Sequence, residues 1–438
     1  MMAVLPGAKR AGEKLELDHG HLAGLLTAGP DILYHGGVFF EFQDGIWKET
    51  PDEIMLQKAE RICRQVGMAV TASRIAGMLK LASGQAYRPV RWNQSGRRDV
   101  CVSNGILRSH DGEWHLHDYR REDYRRIRLP ITYNPDAECP RFERFLTEVF
   151  AGASDASDRA LALLEYMGLS LTTTTEYERA LMLIGNGGNG KSKVLNLMQS
   201  MVGEDYRVAV ELSQLDNRFQ QSHLDGKLIN VISETSTDGE MPDSTVKKII
   251  SGETLTAERK FKDAFDFRPI CKLWITTNHT PSTKDFSDGL FRRFTILQFQ
   301  NRFAPEVADT KLDAKLRAEI PGVLNLVLEA LAGVYERGRV TIPQSSLDAA
   351  KSWRVSSDQV LQFLDEAVTH DPQAITPSSD LYMAYQAWAD SAGIYRKLNR
   401  KNFTLRLGAH GIEYGKHCDT RSFYGIRPRL ASDLGGGL

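Results

Sequence analysis

The sequence has no long hydrophobic run, no excess of charge of one sign and few cysteines. None of its apolar runs approaches the roughly 18–20 residues needed to span a bilayer. Its start, MMAVLPGAKRAGEKLELDHG, has too short an apolar stretch for a secretory signal. The 55 Lys and Arg residues nearly balance the 56 Asp and Glu residues, so the net charge says nothing for or against a nucleic-acid partner. We therefore expect a cytoplasmic protein without a membrane partner.

The five cysteines are odd in number and widely scattered, and no pair of them has the spacing of metal ligands. Reduced thiols of a cytoplasmic protein fit this pattern. His115 and His117 are spaced for one face of a strand, but no Cys or second His pair lies near them in the sequence. A structural metal site is therefore not expected there. Internal repeats and low-complexity tracts are absent, and the length allows two or three ordinary globular domains.

The hydrophobic pattern divides the chain into three predicted domains: 1–140, 141–345 and 346–438. In the first, segments 36–50 and 104–118 each alternate apolar and polar residues around a central Asp-Gly, which is typical of a β-hairpin. Segment 51–67 between them has helical spacing of its apolar residues. The first domain is therefore predicted to be a mixed α+β domain.

Short apolar runs of β type alternate with helical segments between residues 178 and 300; the runs are ALMLIG, KLINVIS, CKLWITTN and RFTILQF. Such alternation predicts a parallel sheet flanked by helices. Apolar stripes in segment 141–170, and again after residue 300, predict further helices around this sheet. The predicted fold class is α/β.

The first apolar run leads directly into GNGGNGKS, residues Gly185 to Ser192, which matches the pattern G-x-x-x-x-G-K-[ST]. Glycines without Cβ atoms let successive backbone N–H groups wrap a phosphate, and the following helix adds its positive N-terminal end. Lys191 would neutralise the β- and γ-phosphates, and the Ser192 hydroxyl would ligate Mg²⁺. The predicted nucleotide-binding residues are Gly185, Gly187, Gly188, Asn189, Gly190, Lys191 and Ser192.

Nucleotide hydrolysis also needs groups that follow or precede the neighbouring strands. Glu234 stands just past the KLINVIS strand and would supply the carboxylate, while Asn278 ends the next strand and could orient the attacking water. Arg292 and Arg293 precede the RFTILQF strand and could stabilise a transferring phosphoryl group from a neighbouring subunit. Each signal has a plainer alternative: a surface Glu, a turn-forming Asn, and a pair of ion-pairing arginines.

Segment 254–267, TLTAERKFKDAFDF, alternates β-like residues around a cationic tip with Arg259, Lys260 and Lys262. A hairpin aimed into the pore of a ring would present these cations to the backbone of single-stranded DNA. An ordinary exposed hairpin explains the pattern equally well.

The segment from Ser391 to Arg429 has nine Lys and Arg residues against two acids, a surplus that fits phosphate contact. SSD at 378–380 is predicted to be the N-cap of the helix LYMAYQAWAD, which precedes this basic segment. A recognition helix followed by a β-wing is predicted next, and the cations that open this helix are Arg396, Lys397, Arg400 and Lys401. A solvated basic face or a partner-docking wing is the alternative.

This order of motifs resembles the superfamily III helicases of the AAA+ class. It is most similar to the phage and plasmid primase-type helicase module, which is related to the poxvirus primase–helicase. LINVISETS, the segment from TVKKIISGET to ITTNHTP, and SDGLFRRFTILQF carry the likeness. It extends upstream through NGILRSHDGEWHLHD and LPITYNPDAECPRFERFLTEVF, and downstream to a tail that resembles a winged helix.

The resemblance implies a role for each matching residue. Glu234 matches the acidic residue of the second motif, Asn278 the sensor, and Arg292 or Arg293 the arginine finger that acts in trans. Many P-loop ATPases have an Asp-Glu pair where this chain has Ser233 before Glu234, so the exact role of Glu234 stays open. The family is often fused to a primase domain, for which the chain has no room, and we expect no primer synthesis.

The sequence therefore predicts an ATP- and Mg²⁺-dependent DNA helicase that forms a ring, and the family likeness implies a hexamer. It would translocate on single-stranded and forked DNA to replicate a phage, plasmid or integrated mobile element in a bacterial host, with a separate primase or polymerase as a further partner. The main alternative is a nucleotide-gated replication initiator that binds DNA without processive unwinding. A P-loop kinase is a weaker alternative, because it needs neither the hairpin, nor the arginine pair, nor the basic tail.

Overall fold

A computed structural model describes residues 18–233, 241–261, 263–304 and 309–430, and the backbone of two short strands that precede residue 18. The strands, in chain order, are β1 Lys9–Ala11, β2 Lys14–Glu16, β3 Ile32–His35, β4 Val38–Gln43, β5 Ile46–Thr50, β6 Val100–Val102, β7 Gly105–His110, β8 Glu113–His117, β9 Ala180–Ile184, β10 Arg207–Val208, β11 Ile229–Ser233, β12 Leu255–Ala257, β13 Phe265–Phe267, β14 Lys272–Thr277, β15 Phe294–Gln298, β16 Val368–Pro377, β17 Tyr414–His417 and β18 Thr420–Pro428.

Helices make up most of the remaining regular structure of the described residues. In chain order they are α1 His19–Leu26, α2 Asp52–Gln65, α3 Ala72–Gln85, α4 Pro140–Phe150, α5 Ala156–Ser170, α6 Lys191–Val202, α7 Arg218–Gln221, α8 Asp243–Ser251, α9 Asp288–Phe291, α10 Leu312–Ala318, α11 Ile320–Arg337, α12 Gln344–Ser357, α13 Gln359–Ala367, α14 Ser378–Ser391 and α15 Arg400–Ala409. No single described helix is long and apolar enough to cross a membrane, although α10 and α11, which meet at 69°, pass that test together.

The centre of the molecule is a five-stranded sheet in the order β10–β11–β14–β9–β15, and all of its pairs are parallel. The four apolar runs of the sequence form β9, β11, β14 and β15, so the predicted parallel sheet is confirmed. The sequence did not predict β10, which is two residues long and contains Arg207. A parallel sheet buries both faces under helices, and this explains why the central strands are apolar throughout.

Alternate residues of the central strands point to two separate cores. Leu181, Leu183 and Trp274 pack with α4, α5, α6 and α11 on one face, while Met182 and Ile275 pack with α8 and α12 on the other. The fully buried Trp274 donates its indole N–H to the Ser170 hydroxyl at 3.0 Å, so the polar atom of this ring has a partner inside the core.

Two three-stranded antiparallel sheets, β3–β4–β5 and β6–β7–β8, lie before the central sheet in the chain. Both predicted hairpins are present, and the Asp and Gly of each turn have positive φ angles, as a two-residue turn of this kind requires. The second sheet contributes Val100, Val102 and Leu107 to the core that contains α4, α5 and α11. The Trp114 indole N–H also donates to the Leu328 carbonyl of α11 at 2.8 Å. The second sheet is therefore joined to the helical layer of the central domain.

The C-terminal segment has the element order α13–β16–α14–α15–β17–β18, and its strands form an antiparallel sheet in the order β16–β18–β17. Aromatic and aliphatic side chains from all three helices, including Phe363, Tyr385 and Phe403, build its own core. The sequence pattern did not predict β16, because this strand contains Pro372 and has an irregular register between His370 and Ile375 that breaks the alternation of side chains.

Two predicted details of this segment are wrong. Ser378 is the first residue of α14 and Pro377 is its N-cap residue, so the Ser-Ser-Asp stretch lies inside the helix. α15 begins at Arg400, because the Asn399 side chain accepts from the Asn402 backbone N–H at 2.9 Å and caps the helix there. Arg396 and Lys397 therefore lie in the connection before α15.

Candidate nucleotide site and DNA-binding elements

The predicted phosphate loop, residues 185–190, joins the buried strand β9 to the first residue of α6, Lys191. Gly188 and Gly190 have φ angles of 76° and 94°, a backbone conformation that favours glycine. A Cβ atom at Gly190 would also lie 2.8 Å from Cγ1 of Val149. Gly187 has open space around it. Gly188 and Gly190 are therefore required by the path of the loop, and the loop lies at the N-terminal end of a helix, where anions bind.

Hydrogen bonds fix this loop to the ends of two neighbouring strands. Asn189 is buried and donates from Nδ2 to the Phe299 carbonyl at 3.0 Å, just beyond β15. The Phe303 N–H donates to the Gly188 carbonyl at 2.8 Å, and the Gly185 N–H donates to the Thr277 carbonyl of β14 at 3.3 Å. The loop is therefore held by β14 and β15 rather than free to change its shape.

Lys191 is only 8% exposed, and its ammonium group turns back onto its own loop. It donates to the Gly185 carbonyl, to the Asn189 Oδ1 at 3.2 Å and to the Asn186 carbonyl at 3.5 Å. Burial lowers the pKa of Lys191. No described carboxylate forms an ion pair with it, so a phosphate would supply the missing negative charge. Ser192 follows at the exposed start of α6, within reach of the same site.

The carboxyl ends of β11, β14 and β9 lie side by side next to this loop. Thr277 is in register with Ile184, and Ser233 is in register with Thr276. Asn278 follows β14 at the sheet edge where Gly185 follows β9, and it is exposed, as a group that contacts nucleotide must be. Glu234, the predicted catalytic carboxylate, lies outside the described residues.

The two predicted finger arginines are placed differently from each other. Arg293 is half-buried, and its guanidinium donates to Glu178 Oε2 at 2.7 Å and to the Gly289 carbonyl. Arg292 is exposed and forms no ion pair with a described carboxylate. Both arginines precede the N-terminal end of β15, whereas the phosphate loop follows the C-terminal end of the neighbouring strand β9. The arginines and the loop therefore lie at opposite ends of these two parallel strands. A five-residue strand separates these ends by about 16 Å.

The predicted cationic hairpin is present as the antiparallel pair β12 and β13. Arg259 leaves β12 and forms an ion pair with Asp225 at 3.3 Å, with its guanidinium 4.7 Å from the centre of the Phe265 ring. The Lys260 ammonium lies 5.1 Å from the centre of the Phe261 ring. Lys262, the third predicted cation, lies outside the described residues.

The predicted DNA-binding cations of the C-terminal segment are not equally available. Lys397 forms an ion pair with Asp390, and Arg400 donates to the Ser378 hydroxyl at 3.2 Å. Arg396 and Lys401 are exposed, and their side chains form no ion pair with a described residue. Two of the four predicted cations, Lys397 and Arg400, therefore already have partners within the fold, whereas Arg396 and Lys401 do not.

The structure also explains an arginine cluster at 120–128 for which the sequence suggests no role. Arg125 forms an ion pair with Asp99, and Arg121 forms one with Asp31 at 3.0 Å. Arg128 donates to the Asp44 carbonyl at 2.9 Å, and the Arg126 guanidinium lies over aromatic rings of the first sheet. These arginines are partners within the N-terminal fold.

Sequence reasoning passed over one further arginine. Arg179 immediately precedes β9, and its guanidinium donates to the Arg292 carbonyl. Burial, together with the positive charges of Arg292 and Arg293, lowers the pKa of Arg179. The only sequence signal was its position directly before a buried strand, which does not separate it from other surface cations.

Three family models match separate parts of the chain. The D5 N terminal like family matches residues 29–151, and a family of unknown function, DUF5906, matches residues 183–293. The poxvirus D5 protein-like family matches residues 356–420. The three matches cover the N-terminal sheets, the central sheet and the C-terminal segment in turn.

The chain is also similar to proteins described as putative helicases. The putative helicase L207/L206 of Acanthamoeba polyphaga mimivirus is 23% identical over 295 residues, which are 61% of this chain and 30% of that protein. The putative helicase 121R of Invertebrate iridescent virus 3 is 25% identical over 245 residues, or 48% of this chain and 26% of that protein. The chain spans less than a third of either relative. Both relatives come from viruses of eukaryotes, so they do not support the bacterial host expected from the sequence.

Among solved structures, the apo C-terminal region of NrS-1 matches with a TM-score of 0.55 at 14% identity, covering 94% of this chain and 100% of that one. A second apo structure of this region matches with a TM-score of 0.51 at 13% identity, covering 93% and 99%. At this identity, the likeness shows a shared fold that extends over nearly the whole chain.

Proposed function

Since this chain is a primase–helicase-related superfamily III helicase module, we propose that it is an ATP-driven DNA helicase that works as a ring in the replication of a mobile genetic element. The observation that supports this most is the distribution of charge around the central sheet. The predicted phosphate loop follows the C-terminal ends of the strands. Arg292, which forms no ion pair with a described carboxylate, lies at their N-terminal ends. The proposal divides into three parts: the nucleotide site, the ring and the DNA contacts.

The residues of the loop fit ATP with Mg²⁺. The loop lies at the start of α6, where free backbone N–H groups can bind phosphate, and the Lys191 ammonium has only neutral oxygens around it. The Ser192 hydroxyl would ligate Mg²⁺, and Asn278 would orient the attacking water. Glu234 is assigned the carboxylate role from the sequence alone. When bound, ATP supplies the phosphoanhydride bond whose cleavage releases the free energy for movement.

The positions of the arginines support a ring. Arg292 is about one strand length from the phosphate loop of its own chain, too far for its side chain to reach a nucleotide there. In a head-to-tail ring, the same edge of one copy faces the nucleotide of the next. Arg292 of the neighbouring copy would then stabilise the charge that develops on the transferred phosphoryl group. Arg293, held by Glu178, would fix the backbone that presents Arg292.

The DNA contacts would come from two elements. The β12–β13 hairpin would present Arg259 and Lys260 to a single strand in the ring's pore. The C-terminal segment has the helix and strand order of a winged helix, with Arg400 and Lys401 at the start of α15. In such a domain this helix enters the major groove of duplex DNA. The AAA+ assignment and the hexamer belong to the same proposal.

A strand-displacement assay on forked and blunt duplexes tests the proposed function, with ATP and Mg²⁺ present. The intact protein should unwind the forked substrate, and Lys191→Ala should neither hydrolyse ATP nor unwind DNA while keeping the wild-type circular dichroism spectrum. ATP-dependent DNA binding without displacement on either substrate would favour the nucleotide-gated initiator instead. Normal ATP turnover by Lys191→Ala would remove the loop from the nucleotide site.

A further inference from the structure

The tip of the cationic hairpin presents an aromatic ring to solvent. Phe261 is 94% exposed, although burying a Phe side chain stabilises a folded protein. Its φ angle of 63° lies in the left-handed region, which a bulky side chain seldom adopts. Such backbone outliers cluster at ligand-binding and active sites. Nothing in the fold of the described residues uses this ring, since the Lys260 ammonium 5.1 Å from its centre is itself at the exposed tip.

A groove of about 860 Å³ lies along the side of the hairpin, and its lining reaches as far as Lys260, the neighbour of Phe261. The short helix α7 forms its far wall and is joined to the hairpin by two contacts. The Arg218 guanidinium forms an ion pair with Glu258 at 3.0 Å, and the Arg218 carbonyl accepts from the Glu258 backbone N–H at 3.2 Å. A second aromatic ring, Phe219, lies on this wall and is 50% exposed. Phe219 therefore lines the groove, and Phe261 follows Lys260, the lining residue at the hairpin tip.

The charges on the groove are mostly positive. Its two acids are already paired, Asp225 with Arg259 and Glu258 with Arg218. Lys227 and Lys260 also line it, and neither forms an ion pair with a described carboxylate, although the Lys227 ammonium donates to the Asp205 carbonyl at 2.6 Å. A groove that combines unpaired cations with open aromatic rings matches the chemistry of single-stranded nucleic acid, in which phosphates alternate with flat bases.

We propose that Phe261 and Phe219 are base-stacking residues for single-stranded DNA, and that the strand runs from the hairpin tip into the groove beside α7. This inference rests on the proposed DNA translocation and gives it a second kind of contact. Phosphate contact by Lys260 holds the backbone, while the rings hold the bases. Because every base has a π-face, stacking gives grip without sequence preference, as a replicative motor requires.

Stacking and charge contacts respond differently to salt, so binding of a labelled thymidine oligonucleotide to the full chain separates them. Phe261→Ala should weaken binding roughly tenfold, since stacking on an aromatic side chain is worth about 1–3 kcal/mol per base. The slope of log affinity against log salt should stay at its wild-type value, because no counterion is released by stacking. Lys260→Ala, the matched control beside it, should reduce the steepness of that slope by about 0.7.

A 2-aminopurine base in the oligonucleotide reports stacking directly, since its fluorescence is quenched when it stacks. Phe261→Trp should keep the quenching and the affinity, whereas Phe261→Leu, which keeps an apolar side chain without a π-face, should lose both. Phe219→Ala should weaken binding in the same salt-independent way. Both rings are open to solvent, so unchanged melting temperatures are expected for these variants and separate lost binding from lost folding.

The inference fails if Phe261→Ala or Phe219→Ala binds as tightly as the wild-type chain, or if Phe261→Leu quenches normally. It also fails if Phe261→Ala changes the oligomeric state measured by light scattering while DNA affinity stays constant, because the ring would then pack against a neighbouring copy. These results leave DNA binding by the wild type intact and so leave the proposed function standing. A wild-type chain that binds no single-stranded DNA at any salt concentration would overturn both.

Discussion

At the scale of single residues, Lys272 is the clearest case of a charge that burial has changed. It begins β14, is 6% exposed, and donates to the Thr172 and Ile270 carbonyls at 2.9 Å each. Burial lowers its pKa to about 7. A neutral amine has two N–H donors, and the two carbonyls accept both, so the neutral form is fully satisfied in this site.

Lys272 should make the stability of the protein depend on pH. Its ordinary pKa of 10.5 applies to the unfolded chain, which therefore binds more protons than the folded chain between about pH 7 and pH 10.5. The contribution of this group to stability is present above pH 10.5 and is lost as pH falls to 7. Lys272→Met should flatten the rise in melting temperature between pH 7 and pH 9.5, measured by circular dichroism.

Lys80→Met serves as the control for this experiment, because Lys80 is exposed on α3. It should keep the pH dependence of the wild type. Equal pH dependence of the wild-type chain and Lys272→Met would show that Lys272 stays protonated in the folded state.

Arg292 and Arg293 are adjacent in sequence but should differ in what they do. Arg292→Ala should lower ATP turnover by about 10³-fold, the low end for an arginine finger, with little change in melting temperature. Arg293→Ala should instead destabilise the fold by roughly 1–2 kcal/mol, because Glu178 and the Gly289 carbonyl lose their charged donor. Steady-state ATPase rates and thermal unfolding of the two variants make the comparison.

The residue pattern alone could not separate these two arginines, since both stand in Gly-Leu-Phe-Arg-Arg-Phe with the same local chemistry. The difference arises from Glu178, which is 115 positions away in sequence. A turnover defect confined to Arg293→Ala, with Arg292→Ala fully active, would reverse the assignment.

At the scale of elements, sequence predicts best where one rule decides the structure. The four apolar runs became β9, β11, β14 and β15, and the two Asp-Gly turns became hairpins, because burial and turn geometry are both local signals. β16 was missed because its alternation is broken and its pairing with β18 is set by distant residues. The glycine-rich loop joins β9 to α6 as the motif predicts. Its nucleotide binding and the roles of Glu234, Asn278 and the DNA-binding cations stay predictions.

α12 is an element whose contribution could not be read from its sequence. Its Trp353 is 1% exposed and packs edge-on against Phe291 and Phe294, 4.9 and 5.1 Å between ring centres. The indole N–H donates to the Pro281 carbonyl at 2.8 Å, three residues after Asn278. This helix therefore fixes the loop that carries the predicted sensor.

Trp353→Phe should keep most of the ring packing but lose the hydrogen bond to Pro281. We expect kcat for ATP hydrolysis to fall several-fold, together with a loss of stability of about 1–2 kcal/mol from the orphaned carbonyl. Trp388→Phe is a matched control, because its indole N–H donates to Glu366 at 2.9 Å in the C-terminal segment. It should affect melting temperature alone. Equal kcat values for the two variants would separate α12 from the sensor loop.

At the scale of the whole molecule, the position of Arg292 across the sheet from its own phosphate loop allows a mixing test. Lys191→Ala and Arg292→Ala should each be inactive alone. When they are unfolded together and refolded as mixed rings, roughly one interface in four should combine an intact loop with an intact arginine. ATPase activity should therefore reappear in the mixture. Two inactive variants that remain inactive after mixing would show that Arg292 acts within its own chain or not at all.

The sheet formed by β6, β7 and β8 shares its buried side chains with α4, α5 and α11, and this matters for anyone who shortens the protein. Truncating the chain at residue 140 would remove Val100, Val102 and Leu107 and expose to water the apolar surface of the helices that they cover. A fragment that starts ahead of Val100 keeps the lining whole. Replacing the N-terminal segment with another domain would meet the same obstacle, because a boundary at residue 140 divides a shared hydrophobic core.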